Sequence, residues 1–347
     1  MTDTGMRASA SRLLPRGPLS AALLQLLDST ASDVASVSSW HDAVDEAIAR
    51  TTDVIADDDI QFSLFLLYSL HTGGLVDPDG VWEWNGDLLA GRARLEATFE
   101  GRLREIVPIP ELPAAERTAV AATLSELTKP TPGPSLSRFL ARKATLEQAL
   151  EFLTQRTVYT LREADPHSWA IPRLHGRSKV ALVEIQSDEY GAGRPDRQHA
   201  AIFARTVRGA GLDDSYGAYL DVIPAVTFAS LNLMSMLGLN RRLRGAITGH
   251  LAAFEMTSSI PNRSYGDAFR RLGFGEDVTE YFDEHVEADA VHEQIAAFDL
   301  AGALAEDEPD LLPDILFGAS ACLFVDGLMS DHILESFENG VSSLRSA

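Results

Sequence analysis

From Ser20 onward the apolar residues recur at three- and four-residue intervals, and no stretch alternates apolar with polar residues for long enough to demand a sheet. Leu23, Leu24, Leu26 and Leu27 start an apolar face, and residues 60–70 form a run long enough for a buried helix. Residues 72–80 read as a loop by their Gly and Pro content, and residues 88–107 return to helical spacing. Further helices are expected over 145–164, 179–190, 199–209, 219–237, 243–256, 264–272, 279–304 and 311–337. No internal repeat is present. The expected class is all-α.

Two proline-rich patches, 107–113 and 129–134, interrupt this pattern. Proline lacks the amide donor and blocks a continuing helix, so the second patch is the better boundary. The expected organisation is a mobile tail over 1–19, an N-terminal helical extension over 20–128, a linker over 129–135 and a main domain over 136–347.

Charge narrows the function classes. The 347 residues carry 51 acidic and 29 basic side chains, a formal charge of −22. Binding phosphate backbones or anionic lipid needs clustered Lys and Arg, so neither nucleic acid nor a membrane is an expected partner. Residues 1–20 contain Arg7, Arg12 and Arg16 but no apolar run of signal-peptide length, and nowhere do 18 apolar residues run together. Cys322 is the only cysteine, so no internal disulfide can form, and a cytoplasmic location is expected. The same count excludes sites built from several cysteines. Neither a phosphate-binding glycine motif nor a G-x-S-x-G elbow occurs. The basic run 239–245 is expected to pair internally rather than to hold a substrate carboxylate.

The most informative segment is 281–292. His285, Asp289 and His292 stand at i, i+4 and i+7, and at roughly 100° per residue they share one helix face within about 60°. Two imidazoles and a carboxylate on one stripe form a metal-ligand arrangement suited to iron, manganese or zinc. Glu287 falls on the opposite face. An acidic surface helix with its histidines in water is the alternative. Against it, the stripe continues through Ala288 and Ala296 beside Tyr281, and no Lys or Arg occurs between Arg271 and Arg345. Buried carboxylates there have no local cation, and a metal supplies the missing charge.

Glu189 and His199 are a second pair. Ten residues on a straight helix rise about 15 Å, too far for one site, but Gly191, Gly193 and Pro195 can break the helix and bring His199 back. A plain helix–loop–helix with charged ends is equally compatible with that segment. Glu255 sits among small and apolar residues, where an unpaired Glu is unusual. Glu163, just before Pro166, reads more readily as an exposed helix end than as a ligand, and Asp165 and His167 as turn stabilisers. Tyr159, Tyr190 and Phe254 are candidates for a pocket lining but read more readily as core aromatics.

In that order, Glu189, His199, Glu255 and the His285-x3-Asp289-x2-His292 helix resemble the haem-oxygenase-like di-iron oxidases and oxygenases, in particular the bacterial group of iron-containing redox enzymes. The resemblance runs from about Ser135 to the C-terminus, with the preceding helices similar to an extension of that group. It implies a haem-oxygenase-like bundle of about seven core helices, two irons cycling between Fe(II) and Fe(III), O2 as co-substrate and no haem. Glu163 resembles an additional carboxylate of some members. The reaction so implied is oxidation of a small organic substrate, by amine N-oxygenation or oxidative C–C cleavage. An external electron donor and a homodimer are left open. The competing readings are a non-enzymatic, partner-binding helical protein and a metal-free enzyme of the same fold.

Overall fold

The computed structural model describes residues 13–29, 34–73, 75–77, 80–130 and 132–346, without the side chains of residues 34 and 287–290. Every regular element among the described residues is helical. The chain forms two compact units that are not contiguous in sequence: one takes Met1–Ile106, Tyr219–Asn232 and Arg345–Ala347, the other Val107–Ala218 and Leu233–Leu344. The proline-rich 129–135 stretch falls inside the second unit, and residues 1–12 of the expected tail lie outside the described residues.

The first unit contains α1 (Pro18–Leu27), α2 (Val34–Arg50), α3 (Asp58–Thr72) and α4 (Gly86–Ile106). Helix α3 is its core, with every residue from Asp59 to Leu70 buried. Asp57 caps α3 by accepting from the Ile60 amide, which fills one of the unpaired donors of a helix start. Asp59 reaches across to do the same for α1, accepting from the Leu19 and Ser20 amides at 2.8 Å each. Arg16 pairs with Asp58 and lies over the rings of Phe62 and Phe228, which holds the described chain from there into α1.

The second unit contains α5 (Arg117–Leu127), α6 (Leu136–Arg142), α7 (Leu146–Thr160), the single turn α8 (Asp165–Ser168), α9 (Gly176–Glu189) and α10 (His199–Gly209). The unit boundary cuts α11 (Ala225–Leu239) after Asn232. The second unit continues through α12 (Arg244–Met256), α13 (Ser259–Arg271), α14 (Glu276–Gln294), α15 (Ala303–Asp307) and α16 (Leu312–Glu338). Leu153, Phe203, Phe269, Tyr281 and Phe282 form one core cluster between α7, α10, α13 and α14. A second joins α6 to α16 through Leu136, Leu140, Ile333 and Phe337. Arg271 closes the end of α6 by donating to the carbonyls of Leu140 and Ala141, orphan acceptors of the helix C-terminus, and to that of Ala144 just beyond it.

Several expected boundaries shift. The helix expected over 145–164 stops at Thr160, because Ala164 takes a left-handed φ of 73° and Pro166 follows. The helix expected over 279–304 runs as α14 to Gln294 and then widens into a π-helix over Ile295–Gly302. Residues 309–338 are long and apolar enough to cross a membrane by length and composition, although polar residues interrupt the apolar run. In the structure 61% of that most apolar window is buried, as in a core helix.

Helices α12 and α16 cross backbone against backbone. A Cβ added at Gly249 would lie 1.8 Å from the Ile315 carbonyl oxygen, and one at Gly318 1.8 Å from that of Ala246. No side chain fits there, so the glycines set the spacing at which α12 presents Glu255. Gly249→Ala is expected to lower unfolding stability by about 2–3 kcal/mol or more through overpacking. Gly101→Ala, exposed in α4 with open space around it, is expected to raise it by about 0.5–1 kcal/mol. Urea unfolding of the two variants checks both signs.

Candidate metal centre

Glu163, Glu189, His199 and His285 form one buried group, and Glu189, Glu255 and His292 another; in each group the ligand atoms lie within 4.8 Å of one another. Glu189 belongs to both. Asp289 and Glu287 lie on helical backbone in α14, but their side chains are outside the described residues, so the structure places six of the seven expected ligands.

The break between α9 and α10 makes the first meeting. Gly191, Ala192 and Gly193 take φ values of 77°, 49° and 82°, and Pro195–Arg197 form a 3₁₀ turn. A Cβ at Gly191 would strike the Arg194 carbonyl at 2.4 Å, so only glycine allows this turn. The chain folds back, and His199 Nδ1, at the first residue of α10, comes 2.9 Å from Glu189 Oε2, at the last residue of α9.

Glu163 departs from its expected exposed position. It is buried in the turn after α7, because the left-handed Ala164 redirects the chain and Gln186 Nε2 donates to the Ala164 carbonyl. The Tyr281 hydroxyl lies 2.8 and 2.9 Å from the two Glu163 oxygens, and His285 Nε2 stands 3.7 Å from Oε1. Two further orienting contacts aim the imidazoles. His285 Nδ1 donates to the Tyr281 carbonyl at 2.8 Å, leaving Nε2 towards the cluster. His292 Nε2 faces Asp188 at 3.3 Å, leaving Nδ1 3.4 Å from Glu255 and 3.8 Å from Glu189.

Iron suits the residues present. The donors are imidazole nitrogens and carboxylate oxygens. His199 Nδ1 and His292 Nδ1 are buried without a hydrogen bond, although carboxylate oxygens lie within 4 Å, so both point off the hydrogen-bond line. A space of about 20 Å³ among Glu163, Glu189, Glu255 and His285 admits one water-sized occupant.

The electrostatics follow from crowding opposite charges out of water. Burial works against charge at Glu163, Glu255, His199 and His292. It raises the Glu255 pKa, with the Glu189 carboxylate adding to the effect. At Glu163 burial is outweighed by His285, with His199 and Arg156 assisting, and the pKa falls. His292 goes the other way against burial: Glu255, Glu189 and Asp188 push it up to about 9. The acidic outer face of α14 finds its cations on other helices, with Arg197 on Glu280 and Glu284, Arg205 on Glu280, and Arg270 on Asp283.

Other expected roles separate. Tyr190 is partly exposed and its hydroxyl donates to Asp165 at 2.8 Å, while Tyr159 and Phe254 are in T-shaped contact beside the cluster. His167 is buried and shares a 3.2 Å contact with His250, also buried. Burial lowers the His167 pKa to about 4. Arg244 of the basic run pairs with Glu308. Sequence reasoning did not single out Asp188 or Arg156, and it noted Tyr281 only as an inward neighbour. The available signals were the adjacency of Asp188 to Glu189 and the lone charge of Arg156 in the otherwise uncharged second half of α7.

The family described as iron-containing redox enzymes matches residues 150–327, and the chain belongs to it. The match begins in α7 and ends in α16, so it contains every cluster residue. A crystal structure of a CADD-like protein of unknown function from Nostoc punctiforme is 14% identical, with a TM-score of 0.46, over 70% of this chain and 97% of that one. No curated protein matches the sequence.

A metal must displace a proton from His292 below its pKa of about 9. The apparent Fe(II) affinity of the protein is therefore expected to rise with pH between 6 and 8, by up to about tenfold per unit for one displaced proton. Anaerobic competition titrations across that range measure it, and a flat profile would remove His292 from the metal's ligands.

Proposed function

We propose that the chain is a non-haem, O2-activating oxidoreductase that holds two irons and oxidises a small organic substrate. Glu163, Glu189, His199 and His285 would hold one iron, and Glu189, Glu255 and His292 the other, with Asp289 a further ligand of this centre. The observation that carries this reading is that one buried carboxylate, Glu189, belongs to both donor groups. A carboxylate has two oxygens and is suited to bridging, which terminal imidazoles cannot do. Family membership supports iron as the metal.

Iron bound there would supply electrons to O2 and coordination positions open to reactants. The protein's own part is orientation and exclusion of water. Tyr281 holds Glu163 through both oxygens, the Tyr281 carbonyl and Asp188 fix the two imidazoles of α14, and Phe203 packs edge-on against Tyr281 behind them. A carboxylate that changes its mode of contact needs free rotation at its end. Glu189 and Glu255 stand at the last and next-to-last residues of their helices, where the following chain is not helical. The reaction type, amine N-oxygenation or oxidative C–C cleavage, an external electron donor and a cytoplasmic setting belong to the same proposal.

Iron analysis and O2 exposure test it together. Anaerobically reconstituted protein is expected to hold close to two irons per chain, His292→Ala close to one, and Glu189→Ala fewer than either. Mixing the Fe(II) protein with O2 should change its absorption spectrum and consume O2 in a single turnover. Iron retained in full by Glu189→Ala, or Fe(II) protein inert to O2, would overturn the proposal.

A further inference from the structure

We infer that Fe(II) enters the cluster through the surface depression at the turn between α9 and α10, taken first by Asp188 and held back by Arg197. The inference rests on the reading of the cluster as a metal centre and adds the route by which it fills. The depression measures about 290 Å³, and the left-handed Gly191 and Ala192 form part of its wall. His199 belongs both to this wall and to the first donor group. It is 2% exposed, and its Nδ1 makes no hydrogen bond and lies 2.9 Å from Glu189, the carboxylate common to both groups. Asp188 makes a second link. Its side chain is 56% exposed, yet one oxygen stands 3.3 Å from Nε2 of His292, a side chain 1% exposed. Both donor groups are therefore within one residue of the same depression.

Charge leads a cation to it. Glu284 lines this depression and also a second one along α14, whose other lining residues are Glu276, Asp277, Glu280 and Asp283. Arginines pair with Glu280, Asp283 and Glu284, so this strip keeps a negative excess that draws cations along it. Carboxylate oxygen at Asp188 and imidazole nitrogen at His199 are donors that Fe(II) accepts in turn. The cavity on the other side of the cluster suits a hydrated dication less. Glu163 and Asp326 line it, but so do Phe152, Phe254, Leu323 and the cationic Arg156. Two arginines oppose entry at the depression. Arg194 is exposed at its mouth, while Arg197 reaches Glu284 at 2.5 Å and Glu280 at 3.4 Å. Arg197 thus occupies a carboxylate on the ion's way and sets a positive charge before it. A partly exposed ion pair of this kind is weak, and a dication can take Glu284 from it.

Timed uptake of Fe(II) tests this. The metal-free full chain is mixed with Fe(II) anaerobically and quenched at intervals with a chromogenic chelator that counts the iron still free. The iron content at completion is measured on the same samples. Asp188→Asn keeps an acceptor for His292 and loses the charge. It is expected to slow uptake by about tenfold, the lower end of electrostatic steering, and to reach the wild-type iron content. Arg197→Ala is expected to speed uptake by about threefold. Asp326→Asn, in the wall of the other cavity, should fill at the wild-type rate. Wild-type uptake by Asp188→Asn, slowed uptake by Asp326→Asn, or slowed uptake by Arg197→Ala would overturn the inference. So would a lower final iron content in Asp188→Asn at an unchanged initial rate, the result of a role confined to orienting His292. If the wild-type chain takes up no iron, the metal reading falls and the route with it. If it fills at a rate indifferent to Asp188, only the route falls. If Asp188→Asn does not fold, the sign of the Arg197→Ala effect decides the matter.

Discussion

Six ionisable side chains, three carboxylates and three imidazoles, are withdrawn from water within one helical unit, and each is at most 8% exposed. Any one of them alone would be expelled or neutralised, because an unpaired buried charge costs several kcal/mol. Together they compensate one another: at Glu163, Glu255, His199 and His292 burial opposes the charge while oppositely charged neighbours favour it. The surrounding packing exists at the distances this compensation needs. The close crossing of α12 and α16 at Gly249 and Gly318 holds Glu255 in reach, and the aromatic cluster behind Tyr281 holds α14.

The cluster is assembled at places where helices fail. Glu163 follows the end of α7, Glu189 and His199 flank the left-handed turn between α9 and α10, and Glu255 precedes the end of α12. The π-helix begins three residues after His292. Helix ends and widened turns release side chains from the fixed angular spacing of a regular helix, so several donors can converge on a volume too small for parallel helix faces to share. Backbone strain at Ala164 and Ala192 is part of the same arrangement.

The large negative charge is handled differently on the two sides of α14. Outward carboxylates meet arginines from the 3₁₀ turn before α10, from α10 and from α13, pairs that are partly exposed and contribute little each. Among the described residues, the inward carboxylates Glu163, Glu189 and Glu255 make no ion pair with a lysine or arginine, and Arg156 supports Glu163 by its charge and through the Tyr281 hydroxyl.

Much of this was readable along the chain. Helical periodicity established the all-α class, and the i, i+4, i+7 spacing put His285 and His292 on one face, because angular position on a helix follows from sequence distance alone. The glycines and proline between Glu189 and His199 announced a break, and a lone Glu in the apolar run of α12 drew notice to Glu255. Glu163 read as an exposed end, since nothing local distinguishes a buried turn from a solvated one. Asp188, Tyr281 and Arg156 acquire their roles only from partners distant in sequence: 104 residues separate Asp188 from His292, and 118 separate Tyr281 from Glu163. Local pattern determines which face a side chain takes on its own helix. Which other helix end meets that face, and so which charges compensate one another, depends on long-range packing that no local spacing encodes.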